Sequence, residues 1–388
     1  MKKKLKWFAA AMILAMIICC GTVMAETGGT CGTDLTWVLD EDGLLTISGT
    51  GEMDNYGYGS PSPWGTNITE IVVEDGVTYI GNYAFFGCVS LTNVTLPNSL
   101  TGIGDGAFIS CLELVNLTVP DSVTTIGSEV FCFCSSLTGI TLPDSVTDYE
   151  INFAGCESLT NITIPKGVTR IRGSAFDGCS SLEEVSIPEG VTEIGDYAFL
   201  ACTSLKSINI PDSVINISTG AFCGCGSLMH VTIPDRVTSI SIYTFKDCTS
   251  LTSVRISQRI KTIYDGAFSG CSSLQDVYYS GTEIEWNAMA VSKDNDPLYS
   301  ARIHTDIVAF YDLPDSTREI GAEAFMNTDV QVVIVPDGCE EIGARAFADC
   351  ARLIYIYIPA CTEVDESAFN GCSEDLVIDR QSTDSVVR

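Results

Sequence analysis

The chain has 388 residues, 46% of them hydrophobic, with 20 Lys and Arg against 50 Asp and Glu for a formal charge of −30. That hydrophobic share excludes a disordered chain, and the acidic balance, with no basic block beyond the first six positions, argues against nucleic acid or anionic lipid as a partner. Two histidines, His230 and His304, leave little for imidazole catalysis or metal binding.

Lys2, Lys3, Lys4 and Lys6 open the chain, an apolar run follows from Trp7 to Cys20, and Val23, Met24 and Ala25 form a small-residue exit. This order predicts a secretory signal peptide over residues 1–25, cleaved after Ala25. The run is shorter than the ~20 apolar residues of a membrane span. Ile18 before Cys19 disfavours lipid modification there, and no later run reaches spanning length. The mature chain is therefore expected to be secreted or associated with the cell surface, with no membrane span.

Residues 26–70 precede any repeat. Within them Leu35, Trp37 and Leu39, an Asp42-Gly43 turn, then Leu45 and Ile47 read as a hairpin. From residue 71 the sequence repeats itself. Phenylalanine recurs at Phe85, Phe108, Phe131, Phe153, Phe176, Phe199, Phe222, Phe245 and Phe268 at intervals of 22 or 23, and again at Phe325, Phe347 and Phe369. One copy places Val185 and Ile187 before Pro188, then Val191, Ile194, Gly195, Ala198, Phe199, Cys202 and Leu205, and the next opens with Ile208, Ile210 and Pro211. A unit this short cannot bury its own apolar face, so the copies must stack.

Leu205, Ile208 and Ile210 have the spacing of a short strand with alternate side chains inward, and Pro211 ends it because proline has no N–H for the ladder. Stacked copies predict a parallel sheet. Val191, Ile194, Ala198 and Phe199 point inward from the opposite side, Gly195 supplies a turn, and residues 196–202 have room for at most a helical turn or two.

The phrase V-x-I-P-x-x-V-x-x-I-G-x-x-A-F-x-x-C-x-x-L, carried over about residues 71–372, resembles the BspA-type leucine-rich repeats of secreted and surface proteins. The resemblance implies a leucine-rich repeat solenoid. Its parallel β-sheet would line the concave face, with short strands, turns and 3-10 segments on the convex face and residues 26–70 as an N-terminal β-hairpin cap. It also implies surface display and protein binding, with adhesion to host matrix or other cell-surface proteins, and it does not imply a catalytic residue.

Repeats over 71–279 give way at 280–306 to an insert that does not fit the phrase, and repeats resume over 307–388 with a polar tail. Asp294 and Asp296 hint at a calcium loop, but the glycine and glutamate of an EF-hand loop are not in place. No cofactor is expected.

Eleven cysteines between Cys88 and Cys372 fall three residues after a phenylalanine and form a column. Parallel Cβ vectors at strand spacing hold neighbours wider than a disulfide allows, which favours buried thiols used as small apolar residues. Cys339 and Cys361, at the position of Val191 in adjacent copies, are the candidate disulfide. No catalytic constellation stands out: Glu183, Glu184 and Asp276 read as solvated acids, and His230 has no triad partners in its phrase.

The outward strand column runs Thr95, Thr118, Thr141, Thr163, Ser186, Asn209 and Thr232, then turns large at Arg255 and Tyr278, with Ile334 and Tyr357 after the insert. Arg255, Tyr278, Tyr279, Tyr355 and Tyr357 form the candidate ligand-binding face, since aromatics and arginine carry interface energy. The alternative is that they pack beneath the insert. A protein ligand is the expected partner; a glycan stacked on the tyrosines and a coat without a defined ligand are the other readings. The charge itself favours a basic partner, with binding weakened by salt.

Overall fold

Copies of the phrase make coils of two short strands with parallel pairing between neighbours, but the strand expected over Leu205, Ile208 and Ile210 does not form, and that copy carries only Asn216–Ile217. The computed structural model describes residues 27–57, 60–146, 148–149, 152–307, 309–314 and 316–380, so the expected signal peptide lies outside the described residues. The chain divides into two compact units, residues 1–204 and 205–388.

In the first unit the hairpin forms from Leu35–Leu39 and Leu44–Gly49, antiparallel, with Gly28–Thr30 added along its edge. Gly43 takes a φ of 88° in the turn, and the Asp40 carboxylate accepts from the amides of Asp42 and Leu44 at 3.0 and 2.8 Å. Leu44–Gly49 then pairs in parallel with Glu70–Val73, which hands the ladder to Asn93–Thr95. Trp64 is buried against Phe85, with centroids 5.7 Å apart. Trp64 thus stands as the first rung of the aromatic column.

The coils that follow repeat one set of contacts. The central residue of each outer strand, such as Leu117, Ile162 and Val185, is buried while its neighbours face out. The phenylalanine rings stack face to face, at 5.5 Å for Phe131–Phe153 and 5.1 Å for Phe176–Phe199. The Phe153 amide donates to Ala175 O of the next coil at 2.7 Å, as Phe176 does to Ala198. Column thiols donate back to the previous coil's phenylalanine carbonyl, at 3.2 Å for Cys134 to Phe108 and for Cys179 to Phe153, while the first, Cys88, donates to Gly65 O. Burial pushes the thiols of Cys88 and Cys271 up to about 12, so these two hold almost no nucleophilic thiolate near neutrality.

Two details differ from expectation. Residues 196–202 form turns and no helical turn, because Tyr197 and Ala201, two positions either side of Phe199, are both left-handed at φ 58° and 59°. Gly195 is not left-handed. It is glycine because the coils approach closely there: a Cβ would sit 2.6 Å from Gly173 N and 2.8 Å from Arg172 C.

The second unit carries two sheets. The first pairs His230–Thr232, Ser253–Ile256, Asp276–Tyr279 and Arg302–His304; the second pairs Phe310–Asp312, Val332–Ile334, Tyr355–Ile358 and Val377–Arg380, all parallel. The insert does not leave the ladder. Its Ala290–Val291, between short helices at Glu283–Ala288 and Asp296–Ser300, pairs with Thr262–Ile263, and its Arg302–His304 continues the first sheet. Where a regular coil would offer a backbone carbonyl to Phe268 N, the buried Asn295 Oδ1 accepts instead at 2.9 Å, while its Nδ2 donates to the carbonyls of Tyr264 and Ser292.

Candidate functional site

Strand alternation decides which predicted residues share a face. In the first sheet of the second unit, His230 and Thr232, Ser253 and Arg255, Asp276 and Tyr278, and Arg302 and His304 project to the outer side in register. In the second sheet the outer side carries Phe310 and Asp312, Val332 and Ile334, Tyr355 and Tyr357, and Val377 and Asp379. These two outer sides meet. Tyr278 packs on Tyr355 at 5.4 Å and on Phe310 at 5.8 Å, and the His230 ring lies 4.1 Å from that of Tyr357. Arg255 sits over Phe310 at 5.6 Å and pairs with Asp235 at 3.1 Å. Thr232 Oγ1 donates to Asp312 Oδ2 at 2.6 Å. A separate apolar cluster of Tyr278, Ile307, Val332, Ile334, Tyr355 and Tyr357 results.

The candidate ligand-binding face is therefore brought together but not exposed. Tyr278 and Tyr279 are each 1% accessible, Tyr355 5% and Tyr357 4%. Tyr279 belongs to the other side of its strand: one residue on from Tyr278, it points into the coil, where Trp286 of the insert meets it edge-on at 5.3 Å. The packing alternative holds for Tyr279. Tyr278, Tyr355 and Tyr357 are covered by facing repeats, an arrangement the column pattern does not reveal. Burial pushes all three hydroxyls above their ordinary range.

Asp276 also departs from its reading as a solvated acid. It is 4% accessible and accepts from Arg302 Nη2 at 2.8 Å and His304 Nε2 at 2.7 Å. Burial alone would raise its carboxyl, but the bonds from His304 and Arg302 outweigh this and hold it below the ordinary value. Arg302, His304, Phe310 and Asp312 are site residues that sequence reasoning missed. Their only signal was the break in the phenylalanine beat ahead of them.

His230 bonds Ser253 Oγ through Nδ1 at 2.8 Å, and its Nε2 is occluded. Burial pushes the imidazole down to about 3. The unfolded chain takes up this proton near pH 6.5 and the folded one does not, so the contribution to stability is complete above pH 6.5 and falls away as the pH drops toward 3. At pH 5 the loss attributable to His230 is about 2 kcal/mol. Denaturant unfolding of wild type and His230→Gln at pH 7 and pH 5 checks this, because the difference between the two profiles isolates His230 from His304. Equal pH dependence in both proteins would reject it.

The candidate disulfide does not form. Cys339 is buried and its thiol donates to Glu341 O, whereas Cys361 is exposed and donates to Asp337 O. From Pro336 to Ile342 is six residues, but from Pro359 to the paired Val364 is five. Thr362, third after Pro359 as Cys339 is third after Pro336 and bonded alike to the proline carbonyl, takes the inward slot and leaves Cys361 outside; the missing residue lies between Thr362 and Val364.

The first unit keeps an open strand face. Thr95, Thr118, Thr141, Thr163 and Ser186 are exposed at the same position of successive copies, with Thr118 in register with Thr141 and Thr163 with Ser186, flanked by exposed Asn93, Asn116, Asn161 and Glu184. Between Glu26 and Pro165 the sequence holds eighteen Asp and Glu and no Lys, Arg or His. Among the described residues no cluster of three or more His, Cys, Asp or Glu is arranged to hold a metal, and no helix is long and apolar enough to cross a membrane.

Coils that each contribute a parallel strand, an inward leucine ladder and a phenylalanine spine define a leucine-rich repeat solenoid. The chain belongs to the BspA type leucine rich repeat family, whose pattern matches residues 64–183, 171–294 and 304–383. Among solved structures it is similar to a leucine rich cell surface protein from Faecalibacterium prausnitzii, with 25% identity over 92% of this chain and 96% of that one and a TM-score of 0.41. It is also similar to a leucine-rich repeat protein from Bacteroides ovatus, with 22% identity over 90% and 99% of the two chains and a TM-score of 0.41. A Treponema pallidum leucine rich repeat protein shares 26% identity over 44% of this chain and 86% of its own, with a TM-score of 0.37. No curated protein sequence matches it.

Proposed function

We propose that this is a non-enzymatic protein of the cell surface or extracellular space, acting in adhesion by binding a host matrix or other surface protein through the strand face of its first unit. One observation carries the reading: that face is an uncovered, in-register array of small polar side chains, whereas the aromatic face of the second unit is occupied by the chain itself. Small side chains leave the backbone ladder approachable by a flat partner. The acids around the face, unbalanced by any cation over residues 26–165, favour a partner with a basic surface and make association salt-sensitive within a Debye length of about 8 Å. The glycan reading loses support, since the tyrosines that would stack on sugar rings are buried.

Capture of matrix and cell-envelope proteins by the chain, compared with a Thr95→Arg, Thr118→Arg, Thr141→Arg triple variant, tests the assignment. Loss of the captured protein by the variant, and its release from wild type as salt is raised, are expected. Undiminished capture by a folded variant would remove the first-unit face from consideration.

A further inference from the structure

The two facing sides of the second unit are mismatched in composition. The first sheet presents a polar and ionisable side, with His230, Thr232, Ser253, Arg255, Asp276, Arg302 and His304 around Tyr278. The second presents mostly apolar side chains, Phe310, Val332, Ile334, Tyr355 and Tyr357. Closing one on the other leaves His230 Nε2, Arg255 Nε and the Tyr278 hydroxyl buried without a partner among the described residues. Such groups belong to a face that also meets water or a ligand, because permanent burial of an unpaired polar atom is costly.

The covering half also has a core apart from the contact. Residues 320–368 have their own core of Val333, Val335, Ile342, Phe347, Leu353 and Ile356 on the inner side of the second sheet, distinct from the cluster between the sheets. In sequence the two sheets are joined by a single connection, residues 305–309. An interface between two halves that are each internally packed behaves like one between domains, for which relative motion is the ordinary case.

We propose that the C-terminal repeats, residues 310–380, are a reversible cover on the strand face of residues 230–304, closed at rest by their apolar side and able to lift without unfolding either half. This goes beyond the binding role assigned to the first unit and does not depend on it. Lifting exposes His230, Arg255 and Tyr278 on one side and Tyr355 and Tyr357 on the other, and arginine and tyrosine are among the residue types that dominate protein-binding hot spots. In the closed state the cover is itself the ligand of that face.

Hydroxyl-radical footprinting and amide hydrogen exchange on the full chain test the cover together. Thr232→Ala removes the bond to Asp312 that bridges the two sheets and touches neither core. Oxidation of Tyr278, Tyr355 and Tyr357 is expected to rise about tenfold, the effect of losing one hydrogen bond to a charged group, with amide protection of strands 230–232 and 332–334 unchanged. Ile334→Asp, which sets a charge inside the covered side, is expected to raise it further. Tyrosines that stay protected in both variants, or that gain labelling only as the strand amides lose protection, would show an integral layer of the fold and overturn the proposal.

Discussion

Phe153→Ala is expected to destabilise the first unit by about 3–5 kcal/mol, the range for removing a fully buried aromatic ring. Phe153 is 1% accessible and lies between Phe131 at 5.5 Å and Phe176 at 5.8 Å, so deletion strips both neighbours of a stacking partner. A globular core can shift inward to fill part of such a space. Here the coils above and below are pinned at strand spacing by backbone bonds, including Phe153 N to Ala175 O, which leaves little room for collapse. Energy in a stacked array passes only between neighbours, and a weakened coil should split one cooperative transition into two. Denaturant unfolding followed by circular dichroism and by amide exchange on either side of the site reads both effects; a loss below 1 kcal/mol with a single transition would show that the ring column is not what couples the coils.

At Tyr278 the two halves of the side chain should act in opposite directions. Tyr278→Ala removes a ring that stacks on His304 at 4.9 Å and meets Tyr355 and Phe310, and is expected to cost about 3 kcal/mol. Tyr278→Phe keeps those contacts and deletes a buried hydroxyl that has no partner among the described residues, and is expected to leave stability unchanged or raise it by about 1 kcal/mol. Urea midpoints for the three proteins give both numbers. A Phe variant less stable than wild type by more than 1 kcal/mol would mean that the hydroxyl is satisfied in solution.

The repeat was fully legible in the sequence because each coil restates the same physical demands. Phe, Cys and Leu at fixed offsets mark the inner surface, and proline marks the end of each strand. The register of the outer column was equally legible: Thr232, Arg255 and Tyr278 do lie side by side, as do Ile334 and Tyr357. What lies opposite that column was not. Periodicity assigns side chains to a face but says nothing about a second face reached some eighty residues later, such as Asp312 against Thr232. The rungs within 280–306 were invisible for a different reason, since two residues such as Ala290 and Val291 suffice for a ladder and carry no pattern. Cys361 was misplaced by one residue because counting back from the following strand overlooked the residue missing between Thr362 and Val364.

Asn295 shows how such an array tolerates irregularity. The amide of Phe268 would normally hand its hydrogen to the succeeding coil, and a single carboxamide takes delivery when that coil is replaced by unrelated sequence. The seam between standard and non-standard segments therefore requires one correctly placed side chain and no redesign of its surroundings. Architecture of this kind is modular at the scale of an individual backbone donor, which allows a foreign loop to be spliced in while the amide of Phe268 keeps an acceptor.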